Sequence, residues 1–182
     1  MADASACLAT DDLVLRPWTR ADAPALARLG DGRDSWINRR DRFPRPLTLP
    51  AADLWLAEQM IFEDEQRKRT NFAIEWREEL AGGISLTRRD DVHRICADLS
   101  VWVGRPYCGR GIATASVSLV TGYGFDTLGL ERVQALVFYW NPESSRVLQN
   151  ARFTLEGRLR RYVLKDGRVG DALVYARLRN DP

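Results

Sequence analysis

Val101-Trp-Val-Gly-Arg-Pro-Tyr-Cys-Gly-Arg-Gly-Ile-Ala-Thr-Ala115 is the stretch on which the fold turns. It starts as an apolar strand, passes through Gly109 and Gly111, and enters a helix. An ordinary strand has no need of that exit. A loop that presents consecutive backbone N–H groups to an anion does, because glycine allows close approach and unusual dihedrals. A nucleotide P-loop is disfavoured, since no Gly-Lys-Ser or Gly-Lys-Thr follows. A dinucleotide fold is also weak, because the full GxGxxG pattern is missing. A lone GxG often marks only a tight turn, so at this level the stretch reads equally as a turn or as an anion site.

Outward from the loop, strands and helices alternate. Upstream, the sequence predicts a strand at 13–18 and a helix at 21–29 capped by Thr19. A second helix is predicted at 51–65. A hairpin pairs 71–76 with 80–86, with a bulge or bend at Gly82 and Gly83. The strand at 95–103 leads into the loop, and the helix after Gly111 runs toward Leu128. Downstream come a strand at 132–138 and a helix opened by Asn141 and Pro142. A final hairpin joins 154–164 to 171–178 around Asp166-Gly167, a strong turn signal. This order predicts a mixed α/β (α+β) sheet in one domain over 11–180, preceded by a flexible arm over 1–10.

The 182 residues suffice for one substantial core. Apolar residues make up 45% and charged residues 29%, the balance of a soluble globular protein. With 27 basic and 25 acidic residues, the net charge of +2 gives no reason to expect direct nucleic-acid binding. No apolar run is long enough to span a bilayer, and residues 1–10 do not resemble a secretory signal. Cys7, Cys96 and Cys108 fit neither a disulfide framework nor a metal motif. A reducing cytoplasm is the expected setting.

The loop and its neighbours resemble motif A of the GCN5-related N-acetyltransferases (GNATs), and within them the ribosomal-protein N-terminal acetyltransferase, or RimJ/RimL-like, group. The family loop has the form Gln/Arg-x-x-Gly-x-Gly/Ala. Gly111 and Ala113 fill its last two fixed positions, and Cys108 stands where Gln or Arg is usual. Further matches are Leu13-Val-Leu-Arg-Pro-Trp18, Asn141-Pro-Glu-Ser-Ser-Arg-Val-Leu-Gln-Asn150, Phe153-Thr-Leu-Glu-Gly157 and Val174-Tyr-Ala-Arg177. They span nearly the whole domain in the family's order.

The resemblance implies a GNAT fold: a mostly antiparallel central sheet with flanking helices and a splayed parallel strand pair that holds acetyl-CoA or another acyl-CoA. It assigns the pantetheine arm to the strand of Leu99, Val101 and Val103. The pyrophosphate falls to Cys108, Gly109, Arg110, Gly111, Ile112, Ala113 and Thr114. Asn141 and Ser144 face the cofactor arm or the thioester. The implied chemistry is direct attack by an amine on the thioester, without metal or covalent enzyme intermediate.

Ser144 is the leading donor to the departing thiolate, against an ordinary role in a helix start. A base should help remove the amine's proton. Some ribosomal-protein acetyltransferases place a Glu where this chain has Val163, and valine accepts no proton. Asp98, on the motif A strand, is the nearest replacement, against the more ordinary reading of a surface ion pair with an arginine. Glu156 and a water-mediated backbone route are further alternatives. His93 reads as part of an exposed hairpin and Cys108 as a loop residue rather than a nucleophile.

For the acceptor, Trp36, Phe43 and Tyr139 are candidate pocket residues, with Trp55 beside them; core packing is the competing account. The Arg39, Arg40, Arg42 and Arg45 group reads as a solvated face, against recognition of an acidic protein tail or RNA. The acidic series from Asp53 to Glu65 reads as the polar face of a helix, against attraction of an amine substrate. A protein N-terminal α-amine is the family's default acceptor. Polyamines, amino acids and aminoglycosides are the small-molecule alternatives, and a noncatalytic acyl-CoA-binding module is a second class. A homodimer would resemble several relatives.

Overall fold

The computed structural model describes residues 8–30, 46–61 and 70–182. Its eight strands form one sheet in the order β1-β2-β3-β4-β5-β6-β8-β7. The strands are β1 (Leu8–Ala9), β2 (Leu13–Arg16), β3 (Asn71–Trp76), β4 (Glu79–Arg88), β5 (Cys96–Val103), β6 (Arg132–Phe138), β7 (Thr154–Lys165) and β8 (Arg168–Leu178). The helices are α1 (Ala23–Gly30), α2 (Leu49–Ile61), α3 (Ile112–Asp126) and α4 (Pro142–Asn150). β1–β2, β3–β4 and β7–β8 pair antiparallel as hairpins, and β2–β3 and β6–β8 pair antiparallel across longer connections. The β5–β6 pair is parallel, and α3 forms the crossover between them. This is the mixed, largely antiparallel sheet with flanking helices that the GNAT resemblance implied. Parallel pairing covers Cys96 with Arg132, Ala97 with Val133 and Asp98 with Gln134, and both strands run on beyond it.

The chain divides into two compact units. One comprises Met1–Ser85 with Val101–Ser116. Here Leu8 and Ala9 of the expected arm pair with Leu15 and Val14. The β3–β4 hairpin carries a bulge: Ile74 faces Gly82 and Glu75 faces Leu80, which leaves Ala81 as the extra residue. Leu26, Ala52, Leu56 and Ala73 are fully buried around Trp18. Burying each leucine stabilises the fold by about 2 kcal/mol. Trp55 meets Trp18 edge-on at 5.4 Å, so it belongs to this core. Helix α1 begins later than predicted, after a 3-10 turn at Arg20–Asp22. There Asp22 accepts from the Thr19 amide at 2.8 Å and is clamped by the Arg16 guanidinium at 2.7 and 2.9 Å. Burial alone would raise the Asp22 carboxyl; these partners outweigh it and hold the group below the usual carboxylate range.

The other unit comprises Leu86–Ser100 with Val117–Pro182. Val117, Val120, Leu130 and Val133 are fully buried. Gly124 lets α3 lie close to this core, since a Cβ there would come within 3.1 Å of Leu86 and 3.2 Å of Leu130. Asn141 caps α4, its Oδ1 accepting from the Ser144 N–H, and Pro142 takes the first helical position. The Asp166–Gly167 turn closes the β7–β8 hairpin.

Candidate active site

The loop is built from β5 onward. The Gly104 amide donates to Ala81 C=O at 2.8 Å, and a 3-10 turn at Arg105–Tyr107 follows. Gly109 and Gly111 then take φ of +77° and +78°. A Cβ at either position would meet nothing within 4 Å, so these glycines serve backbone conformation and leave open space beside the chain. The Ala115 N–H donates to Gly111 C=O at 3.0 Å. The amides of Ile112, Ala113 and Thr114 precede that bond and have no helical carbonyl to reach. Their direction and the positive end of α3 fit an anion of pyrophosphate type.

Cys108 explains how the loop tolerates its departure from the family pattern. The residue is exposed, but its thiol turns back toward Gly104 C=O at 3.5 Å and Val103 C=O at 3.8 Å. Arg110 also folds back. Its Nε donates to Pro106 C=O at 3.4 Å, and its guanidinium lies 5.0 Å from the Trp76 ring centroid. Tyr107 meets the same indole edge-on at 6.2 Å and donates its hydroxyl to Glu79 at 2.9 Å. Burial, then the Glu79 hydrogen bond, pushes that hydroxyl's pKa up. The sequence did not point to Trp76 or Tyr107 as loop supports, because β3 reaches the loop only through tertiary folding.

On β5, Leu99 and Val103 are buried and Val101 is half-buried. Ser144 is half-buried in the first turn of α4, and its amide, not its hydroxyl, takes part in the cap. Asn141 has the capping role that its sequence position also suggested. Tyr139 is 41% exposed, and Arg168 donates to its hydroxyl at 3.1 Å. Trp36 and Phe43 lie outside the described residues, as do Arg39, Arg40, Arg42 and Arg45.

The two acidic candidates belong to one hydrogen-bonded chain. Arg89 grips both Asp98 oxygens at 2.9 and 3.0 Å, and Gln134 Nε2 donates to Asp98 Oδ1 at 2.8 Å. Gln134 Oε1 accepts from Arg132 Nε at 3.0 Å, and Arg132 grips Glu156 in turn. The Arg132 hydrogen bonds outweigh burial and hold the Glu156 carboxyl below its ordinary value. A depressed carboxylate is a weak proton acceptor near neutrality. His93 is exposed in a 3-10 turn. Among the described residues, no cluster of His, Cys, Asp or Glu has the makings of a metal site, and no helix is long and apolar enough to cross a membrane.

The sequence model of the acetyltransferase (GNAT) domain matches residues 12–154. The chain belongs to the GNAT acetyltransferase family. It is thus an enzyme of acetyl transfer. Among its relatives, an uncharacterized N-acetyltransferase of Bacillus subtilis (strain 168), YoaA, is 29% identical over 93% of this chain and 94% of its own length. The spermidine N(1)-acetyltransferase of Escherichia coli (strain K12) is 26% identical over 87% and 82%. The fold is also that of RimL, a ribosomal L7/L12 alpha-N-protein acetyltransferase solved with coenzyme A. That likeness has a TM-score of 0.81 at 23% identity and covers 94% of this chain and 97% of RimL.

Proposed function

We propose that this acetyltransferase uses acetyl-CoA to acetylate a protein N-terminal α-amine, in the manner of the RimJ/RimL-like group. The observation that carries the donor side is the glycine loop: two positive-φ glycines, open space beside them, and unbonded amides at the start of α3. Acetyl-CoA supplies the activated acetyl thioester. Amides from Cys108 to Thr114 hold its pyrophosphate, and the backbone of Leu99, Val101 and Val103 lines its arm. Ser144, whose hydroxyl stands outside the α4 cap, is the proton donor to the leaving thiolate.

Asp98 was the sequence's candidate base, but both of its oxygens are occupied by Arg89, with Gln134 adding a third donor. The amine's proton is therefore assigned to water at the backbone rather than to a side chain. The pH dependence then follows the acceptor: kcat/KM for a peptide rises with pH and levels off above the α-amine pKa of about 8. A plateau already reached near pH 5 would return the role to a carboxylate. A homodimer in a cytoplasmic setting completes the proposal, and Cys96 and Cys108, which form no disulfide, suit such a setting.

The spermidine-acetylating relative favours a second reading, a small polyamine acceptor. CoA release measured with N-terminal peptides and with spermidine separates the two. Turnover of spermidine without turnover of any peptide overturns the protein-acceptor reading.

A further inference from the structure

The positive charge of this chain is concentrated in one hairpin. Residues 154–178 hold six basic and three acidic side chains, while the remainder holds 21 and 22. That hairpin is β7–β8, and β7 is the last strand of the sheet order. Its register is interrupted midway. Leu159 faces Ala172 and Val163 faces Gly170, so Arg160, Arg161 and Tyr162 together oppose the single residue Asp171. Arg161 has φ of +52°, an unfavourable conformation for a residue with a Cβ.

Asp171 holds this bulge in place. Its Oδ1 accepts from the Arg161 N–H at 2.7 Å, and its Oδ2 from Arg158 Nε at 2.5 Å. The carboxylate is thereby spent on backbone and on Arg158. No ion pair engages the guanidinium of Arg160 or Arg161 among the described residues, and both side chains are exposed. Tyr162 beside them is 57% exposed and Leu164 is 67% exposed. Tyr139, the acceptor candidate just after β6, adjoins this hairpin: Arg158 lies 5.7 Å from its ring centroid and Arg168 bonds its hydroxyl.

We propose that the β7–β8 bulge docks an acidic segment of the acceptor polypeptide, a few residues beyond the amine that is acetylated. This rests on the protein-acceptor reading above and gives it a substrate class. Two exposed guanidiniums outside any ion pair, Arg160 partly offset by the Asp171 charge, attract carboxylates and repel a polycation such as spermidine. Arg158 and Leu164 lie opposite Leu173 and Val169, so across the bulge this stretch spans about 13 Å at roughly 3.3 Å per residue, enough for about four residues of peptide. Exposed Tyr162 and Leu164 offer apolar contact between the charges, which suits a polypeptide better than a phosphate backbone.

The experiment uses the full chain, acetyl-CoA and three peptides sharing their first two residues and carrying Asp/Glu, neutral or Lys residues downstream. Wild type should favour the acidic peptide over the Lys peptide by about tenfold in kcat/KM at low salt, through KM, with the preference shrinking as ionic strength rises. Arg160→Gln/Arg161→Gln should reduce that preference to about twofold. The acetyl-CoA KM serves as the folding control, and a charge-retaining Arg160→Lys/Arg161→Lys variant should restore most of the preference. Equal use of all three peptides by wild type overturns the docking proposal while leaving the protein-acceptor reading intact. Turnover of spermidine but of no peptide overturns the reading beneath it. Self-association of the double Gln variant with the acidic preference intact overturns the proposal, by making these arginines guards of an open sheet edge. Arginine-dependent binding of a single-stranded RNA oligonucleotide, with no discrimination among peptides, overturns it as well.

Discussion

Gly82 and Gly83 on β4, and Gly109 and Gly111 in the loop, are glycine pairs with opposite reasons for being glycine. A Cβ on Gly82 would stand 2.2 Å from the Trp102 carbonyl oxygen, and one on Gly83 would stand 2.7 Å from the Trp18 ring and 2.8 Å from the Trp102 indole nitrogen. Their backbone is ordinary; the space is full. At Gly109 and Gly111 the space is empty and the backbone lies at positive φ. The first pair makes room for packing. The second leaves room for something outside the chain. One residue type therefore marks core assembly on β4 and ligand access in the loop.

The largest effect expected from breaking this contrast is at Gly82. Gly82→Ala forces its methyl against backbone, which cannot turn aside as a side-chain end can, and should cost about 3 kcal/mol. Urea unfolding measures it. The folded fraction should lose far less acetyl-CoA affinity than Gly111→Glu does, since the pyrophosphate loop is unaltered and only the backbone at Trp102 and Val103 must shift. A loss below 1 kcal/mol would mean that β4 and β5 part easily at Trp102.

Gly111→Glu should do the reverse. Its carboxylate enters the open space, repels the pyrophosphate and weakens acetyl-CoA binding on the order of 100-fold. Backbone strain at positive φ costs about 1 kcal/mol of stability. Gly111→Ala carries the same strain without the charge, so it should retain far more affinity. Calorimetric titration of both variants reads the difference. Unchanged affinity in a folded Gly111→Glu protein would move the pyrophosphate away from this loop.

The contrast also shows where sequence reading succeeds. The loop glycines, the Asn141 cap and the Asp166–Gly167 turn rest on local backbone demands, so neighbouring residues suffice to find them. The bend expected near Gly82 and Gly83 was legible as well, as the bulge at Ala81, but its packing reason was not. Trp102 lies about twenty residues away and reaches Gly82 only across the sheet. Asp98 was weighed against an arginine pair, and Arg89 provides it nine positions away. The continuation through Gln134, Arg132 and Glu156 needed strands distant in sequence to become neighbours. Acceptor residues suffer most, since they sit on variable connections and take no periodic pattern.

The smallest predicted effect concerns a contact of this nonlocal kind. Trp76 receives the Arg110 guanidinium at 5.0 Å, while Pro106 C=O accepts from its Nε. Arg77 also approaches the indole, at 4.6 Å, so the ring borders two cations. With Arg110 steadied at the loop, its charge adds to the attraction that the backbone amides exert on phosphate. Exposed cation–π contacts contribute about 0.5–1 kcal/mol, so Trp76→Leu should raise the acetyl-CoA KM about threefold and spare kcat. Trp76→Phe should recover part of the loss. Acetyl-pantetheine lacks the phosphates, and its KM should be the same in wild type and Trp76→Leu. A parallel rise for both donors would make Trp76 a packing residue of the hairpin. A rise confined to acetyl-CoA, abolished when Arg110→Ala is added, would tie the indole to the loop's charge.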